Sequence, residues 1–146
     1  MKEKFYPFRA SEDYLFYYFE SRSEERTIHK AVQFEKIGAD IYNLAFGDLD
    51  ENREINDFCV SNNQDMNKVL ATVVRTALTF FEAYPDRRVY FTGSSKARLR
   101  LYSAILAREF ENWKPVFEVL GIQNGNPVPF EQGVNYESFI INRKSI

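Results

Sequence analysis

Arg26-Thr27-Ile28-His29-Lys30-Ala31-Val32-Gln33-Phe34-Glu35-Lys36-Ile37-Gly38-Ala39-Asp40-Ile41-Tyr42-Asn43-Leu44-Ala45-Phe46-Gly47-Asp48 reads as two alternating runs about a glycine turn. Ile28, Val32 and Phe34 fall on one face of an extended chain, with His29, Gln33 and Glu35 on the other. A period of two marks a strand buried on one side. After Gly38-Ala39-Asp40, Tyr42, Leu44 and Phe46 repeat the pattern. With the run before it, the stretch predicts a meander of antiparallel strands.

That preceding run, Tyr14 to Glu20, is almost wholly apolar and aromatic. It reads as a first strand covered on both sides, or as one whose outer face meets a partner. Downstream, Gly47 to Asn56 is acidic and loop-like, and a short strand is expected through Phe58 and Val60. Ser61-Asn62-Asn63 offers helix-capping chemistry. Met66, Val69, Leu70, Val73, Val74, Ala77, Leu78 and Phe81 then recur at helical spacing, with Lys68, Thr72, Arg75, Thr76 and Glu82 opposite. This predicts a helix with Val73 in its buried face, ended by Tyr84-Pro85-Asp86.

A strand over Val89 to Thr92 and a helix from Ser94 to about Phe110 follow. Val116 to Ile122 precedes Asn124-Gly125, the favoured two-residue hairpin turn, so a strand is preferred there over a helix with Gly121 at its C′ position. Tyr136 to Asn142 closes the sheet. The predicted fold is α+β, in the order βββ(β)αβαββ. A mostly antiparallel sheet would carry two main helices on one face, within one domain over residues 1–146.

The 146 residues can bury roughly 70% of their unfolded surface. Their 45% hydrophobic content places them in the globular class. A net charge of −2 leaves no global basic field for nucleic acid, so such binding would need a local patch. One cysteine, Cys59, excludes an internal disulfide and multi-cysteine zinc sites, and one histidine, His29, excludes multi-histidine metal sites. His29 is expected on the solvated strand face. No signal-like or membrane-length apolar run is present, and the protein is expected to be cytoplasmic. No metal and no cofactor are expected.

Arg88 to Tyr102 holds the most suggestive chemistry: an apolar strand, Gly93, Ser94 and Ser95, then Lys96, Arg98 and Arg100 on a helix opening. Unpaired N–H groups and a partial positive charge let a helix N-terminus hold an anion. At about 100° per residue, Arg98 shares an arc with Leu101, Tyr102, Ile105 and Leu106, while Lys96 and Arg100 point away. Arg98 either snorkels past the core edge, or is held inside by a carboxylate or a bound anion. Lys30 lies on the apolar face of its strand and Asp48 stands in similar register, so a Lys30–Asp48 pair would resolve both. If Lys30 and Arg98 converge, they form a basic pocket.

Elsewhere the alternatives are plainer. Asp48-Leu49-Asp50-Glu51-Asn52 imitates the start of a calcium loop, yet Arg53 stands where its glycine and Cys59 where its bidentate glutamate belong. Asp57, Asn62, Asn63, Asp65 and Lys68 cluster at the first helix's start, where capping accounts for Asn62, Asn63 and Asp65. Cys59 reads as a small core residue.

Ile28 to Phe34, Asn43 to Asp48, Ser61-Asn62-Asn63 with Lys68 to Val73, Val89 to Ser95, Arg98 to Tyr102, and Tyr136, Phe139 and Arg143-Lys144 together resemble a family. It is one of short, uncharacterised Bacteroidota proteins that share a domain of unknown function. The chain carries Ser21 to Arg26 where relatives tend to have glycines. The resemblance implies no established activity, cofactor or partner. It adds weight to Lys30, Asp48, Asn62, Lys68, Gly93, Ser94, Arg98 and Arg100.

Three functions compete. The first is a binding protein that meets a protein partner or a second copy through its aromatic first strand. The second is a phosphate, nucleotide or RNA binder that uses Gly93, Ser94, Ser95, Lys96, Arg98 and Arg100. The third, a phosphoryl-transfer or nuclease-like enzyme using Asp48 or Asp57, ranks last because no base is paired with a nucleophile at recognisable spacing.

Overall fold

The computed structural model describes residues 5–56, 65–93, 95–108 and 110–144. The meander is present as β2 (Phe16–Arg22), β3 (Thr27–Lys36) and β4 (Ile41–Leu49), and a short β1 (Phe8–Ala10) precedes it. β5 (Ile55–Asn56), α1 (Met66–Ala83), β6 (Arg88–Phe91), α2 (Lys96–Arg108), α3 (Phe110–Trp113), β7 (Phe117–Gln123), β8 (Asn126–Pro129) and β9 (Ser138–Arg143) follow. The fold is α+β, as the sequence predicts.

Hydrogen bonds join the strands in the order β1-β2-β3-β4-β6-β9-β7-β8, with β5 paired to β4. β4 and β6 pair in parallel through Ile41↔Arg88, Tyr42↔Val89 and Asn43↔Tyr90. Parallel neighbours need a long crossover, and the chain supplies it through β5 and α1. The other registered pairs are antiparallel. Asn124 and Gly125 take positive φ of 52° and 78°, as a tight hairpin between β7 and β8 requires. Gly121 is thus a strand residue, not a helix end.

The aromatic run is the second strand, not the first. β1 and β3 flank it, and burial alternates along it, with Tyr17, Phe19 and Ser21 inward and Phe16, Tyr18 and Glu20 half-buried. The expectation of a strand covered on both sides is corrected accordingly. No glycine is needed between β2 and β3, because Ser23 closes the turn. Its N–H donates to the Arg26 carbonyl at 2.9 Å, and its Oγ accepts from the Glu25 and Arg26 amides at 3.3 Å.

The chain groups into two compact units. The α1 unit comprises Lys2–Glu35 and Leu44–Pro85. Its core is aromatic: Phe80 of α1 stacks on Phe34 of β3 with ring centroids 4.4 Å apart, and Tyr17 meets Phe34 edge-on at 5.7 Å. The buried face of α1 is Val69, Leu70, Ala71, Thr72, Thr76, Ala77, Phe80 and Phe81. Val73, Val74 and Leu78 are only half-buried, so the predicted face is rotated. The cause is hydroxyl bonding inside the helix, where Thr72 Oγ1 donates to the Lys68 carbonyl and Thr76 Oγ1 to that of Val73. With their polar groups satisfied, both threonines pack as apolar residues.

The α2 unit comprises Lys36–Asn43 and Asp86–Ile146. Phe139 of β9 is fully buried, stacked on Phe91 at 5.1 Å and in contact with Phe130 and Tyr136. A Cβ on Gly121 would lie 2.2 Å from the Tyr136 ring, so that ring requires a glycine beneath it. No residue of α2 is buried, and Leu101, expected inside, is 37% exposed. Leu99 turns inward in its place, beside Tyr102, Ile105 and Leu106. Among the described residues no helix is long and apolar enough to cross a membrane.

Candidate functional site

Neighbouring strands of the meander bring Lys30 and Asp48 together. Lys30 Nζ lies 2.6 Å from Asp48 Oδ1 and 5.8 Å from the centre of the Phe46 ring. The lysine side chain is 1% exposed and the aspartate 15%. A buried ammonium needs such a partner, because an unpaired charge in the core costs several kcal/mol. The pair expected from register is therefore present, and it braces the α1 unit. It offers no exposed cation to a ligand.

The cluster at the start of α1 also has a structural role. Asp65 occupies the N-cap position but makes no side-chain cap, contrary to the capping expectation. Its Oδ2 instead accepts from Ser21 Oγ at 2.6 Å and from the Tyr6 hydroxyl. Burial raises the pKa of the Tyr6 phenol above its usual range, and the hydrogen bond to Asp65 adds to the rise. Lys68 Nζ sits 4.1 Å over the Tyr6 ring. His29 is exposed, as expected, with Nδ1 2.5 Å from the Tyr18 hydroxyl. Asp57, Cys59, Asn62, Asn63 and Ser94, with the strand expected through Phe58 and Val60, lie outside the described residues.

The other half of the expected patch belongs to the α2 unit. Ser95 caps α2: its Oγ accepts from the Arg98 amide at 3.2 Å and its carbonyl from Leu99 at 3.0 Å. A Cβ on Gly93 would lie 2.6 Å from the Leu99 amide nitrogen, so this glycine serves the close approach of chain and helix. Serine and glycine thus have local duties at the turn. Arg98 is half-buried, within the inward arc expected of it. At the other end of α2, Trp113 Nε1 donates to the Leu106 carbonyl at 2.8 Å and Gln132 Nε2 to that of Ala107 at 2.5 Å. Both ends of the helix are tied, and Arg100, Leu101 and Ala104 between them are exposed.

Along the first two turns of α2 a cleft of about 310 Å³ opens, lined by Lys96, Leu99, Arg100 and Ser103 and by residues 122–123 and 135–137. Lys96, Arg100 and Ser103 follow one another at i, i+4 and i+7, so one helix face lines the wall. Lys96 and Arg100 are exposed and hold no ion pair among the described residues. The lining also holds one acid, Glu137, whose Oε2 accepts from the Asn124 amide at 2.7 Å in the hairpin turn. Gln123 and Asn135 are exposed and add amide groups to the lining. Sequence reasoning missed Ser103, Gln123, Asn135 and Glu137. Ser103 was visible in the helical spacing, but the others reach α2 only through the β7–β9 pairing.

The charge of the chain is divided unevenly. The α2 unit carries 10 Lys and Arg against 7 Asp and Glu, and the α1 unit 9 against 14. The basic surplus accompanies the cleft. Among the described residues no group of three or more His, Cys, Asp or Glu is arranged to hold a metal ion.

A small α+β protein with a cationic cleft beside a surface helix is the class these features define. The chain belongs to a family of unknown function, DUF6934, whose model matches residues 2–144. No curated protein and no solved structure matches it.

Proposed function

We propose that this protein is a binding module for a phosphate-bearing ligand, held in the cleft beside α2. Lys96 and Arg100 contact the phosphate oxygens, and Ser103, Gln123 and Asn135 donate and accept hydrogen bonds to the rest of the ligand. The observation that carries this reading is a pair of exposed cations, one helical turn apart and without ion pairs among the described residues, opening on a cleft of small-ligand size. The basic balance of the α2 unit supports it, since a local surplus of cations attracts anions to an otherwise acidic chain. The anion site favoured here begins at Lys96, directly after the Gly93–Ser95 turn, and runs along the first two turns of the helix.

The test is a thermal melt titrated with inorganic phosphate, ATP and UMP, on wild type and on the Lys96→Ala/Arg100→Ala double variant. Binding to the folded state alone raises stability by about 2.7 kcal/mol at a hundredfold excess over Kd. Wild type should show a saturable rise in Tm. The double variant should melt at the same temperature without ligand and show no rise. A flat wild-type titration with all three ligands overturns the reading.

A further inference from the structure

We infer that this protein pairs with a second copy of itself, stacking the outer face of β6, β9 and β7 on the same face of the other molecule. Register sets Arg88 beside Asn142 and Asn142 beside Glu118. The next row on that face is Tyr90, Ile140 and Leu120. Residues paired across a sheet share a face, so these six lie together on one side of the strands. Val89, Ile141 and Val119 fall between the two rows and point to the other side, where Val89 and Val119 are buried. α2 meets that other side through Tyr102, which lies against Phe91. On the outer face Tyr90, Leu120 and Ile140 are only half-buried. None of the six residues lines the cleft.

This face is complementary to itself. β9 lies between β6 and β7, so a two-fold axis along β9 lays each β6 over the β7 of the other copy. Arg88 then meets Glu118 of the second copy, Tyr90 meets its Leu120, and Ile140 meets Ile140 at the axis. Arg88 gives Nε and Nη2 to Asp40 at 3.3 and 3.0 Å, which leaves Nη1 for a second carboxylate. Glu118 is exposed and holds no ion pair among the described residues. An apolar centre bordered by charged groups is the usual anatomy of an interface. The sheet edge at β8 is closed to a second copy. The Phe130 amide donates inward to Val119, so by alternation positions 129 and 127 would donate outward, and both are proline. Four strands at about 4.8 Å and six residues at about 3.4 Å make a face of roughly 20 by 20 Å. That falls short of the roughly 800 Å² per partner of a standard interface, so the dimer is weak and concentration-dependent.

The test is sedimentation equilibrium across a concentration series up to millimolar protein. Wild type should pass reversibly from monomer to dimer. Glu118→Arg and Arg88→Glu each set like charges against one another across the axis, and each should weaken association about tenfold or more. The Arg88–Asp40 pair is about half exposed, so its loss leaves the monomer folded. An equimolar mixture of the two variants restores both charge pairs in a heterodimer and should associate within a few-fold of wild type. Ile140→Lys sets two ammonium groups at the axis and should stay monomeric, with a thermal melt to show that it folds. If it does not fold, the two charge reversals and their mixture decide. A wild type that is monomeric throughout overturns the inference. So does a dimer that ignores both reversals, a mixture that associates no better than either variant alone, or a folded Ile140→Lys that still pairs.

Discussion

The two long helices of this protein are used in opposite ways. α1 buries eight of its residues and contributes Phe80 and Phe81 to an aromatic core. α2 buries none, is tied by side chains at both ends, and leaves Lys96 and Arg100 exposed. Apolar burial stabilises a helix in proportion to area removed from water, at roughly 25 cal/mol per Å². α1 therefore holds its part of the fold together. α2 owes its place to caps and a half-buried face, which leaves Lys96 and Arg100 exposed.

The comparison is easiest to break at Phe80. Phe80→Ala removes the ring stacked on Phe34 and should cost about 3–5 kcal/mol in a urea titration. Leu101→Ala on α2 should stay within about 0.5 kcal/mol. Equal costs would show that the helices are not specialised.

Asp48→Ala strips Lys30 of its carboxylate in a site where the lysine is 1% exposed, and should cost about 3–5 kcal/mol. A loss under about 1 kcal/mol would mean that the ammonium reaches water.

Next comes the register of α1. Thr72 Oγ1 accepts the Tyr6 amide at 2.8 Å, so Thr72→Val leaves a buried donor unsatisfied at about 1–3 kcal/mol. Val73→Ala, at a half-buried position, should cost less. The reverse order would restore the face read from hydropathy.

The smallest effect is expected at Tyr17. Its side chain is fully buried, and its hydroxyl has no hydrogen-bond partner among the described residues. Burial pushes the pKa of this phenol up. Tyr17→Phe removes an unsatisfied polar group and should be neutral or stabilising by up to about 1 kcal/mol.

The sequence was legible where periodicity and polarity agreed. Ile28, Val32 and Phe34 and, on the next strand, Tyr42 and Phe46 fall on the buried face that alternation assigns them, and Asn124-Gly125 states its own turn. The Lys30–Asp48 pair followed from one cation out of place on an apolar face. Reading failed where a polar residue hides its polarity: Thr72 and Thr76 bond within their helix and join the core. It failed again at α2, where Leu101 looks buried by type, but the helix is held by caps and lies shallowly. The cleft was half legible. Lys96 and Arg100 were visible on the outward side of the helix, whereas Gln123, Asn135 and Glu137 arrive through strand pairing between segments distant in sequence.

Native-state hydrogen exchange, with and without inorganic phosphate, tests the division of labour between the helices most directly. Amides in Val69–Phe81 should exchange only through global opening, and those in Arg100–Arg108 through cheaper local opening, because protection follows burial and contact density. Saturating phosphate should slow exchange in α2 and leave α1 unchanged, apart from the rise in global stability set by mass action. Equal protection of the two helices in the free protein, with phosphate slowing neither or slowing α1 alone, would contradict a fold held by one helix and a ligand carried by the other.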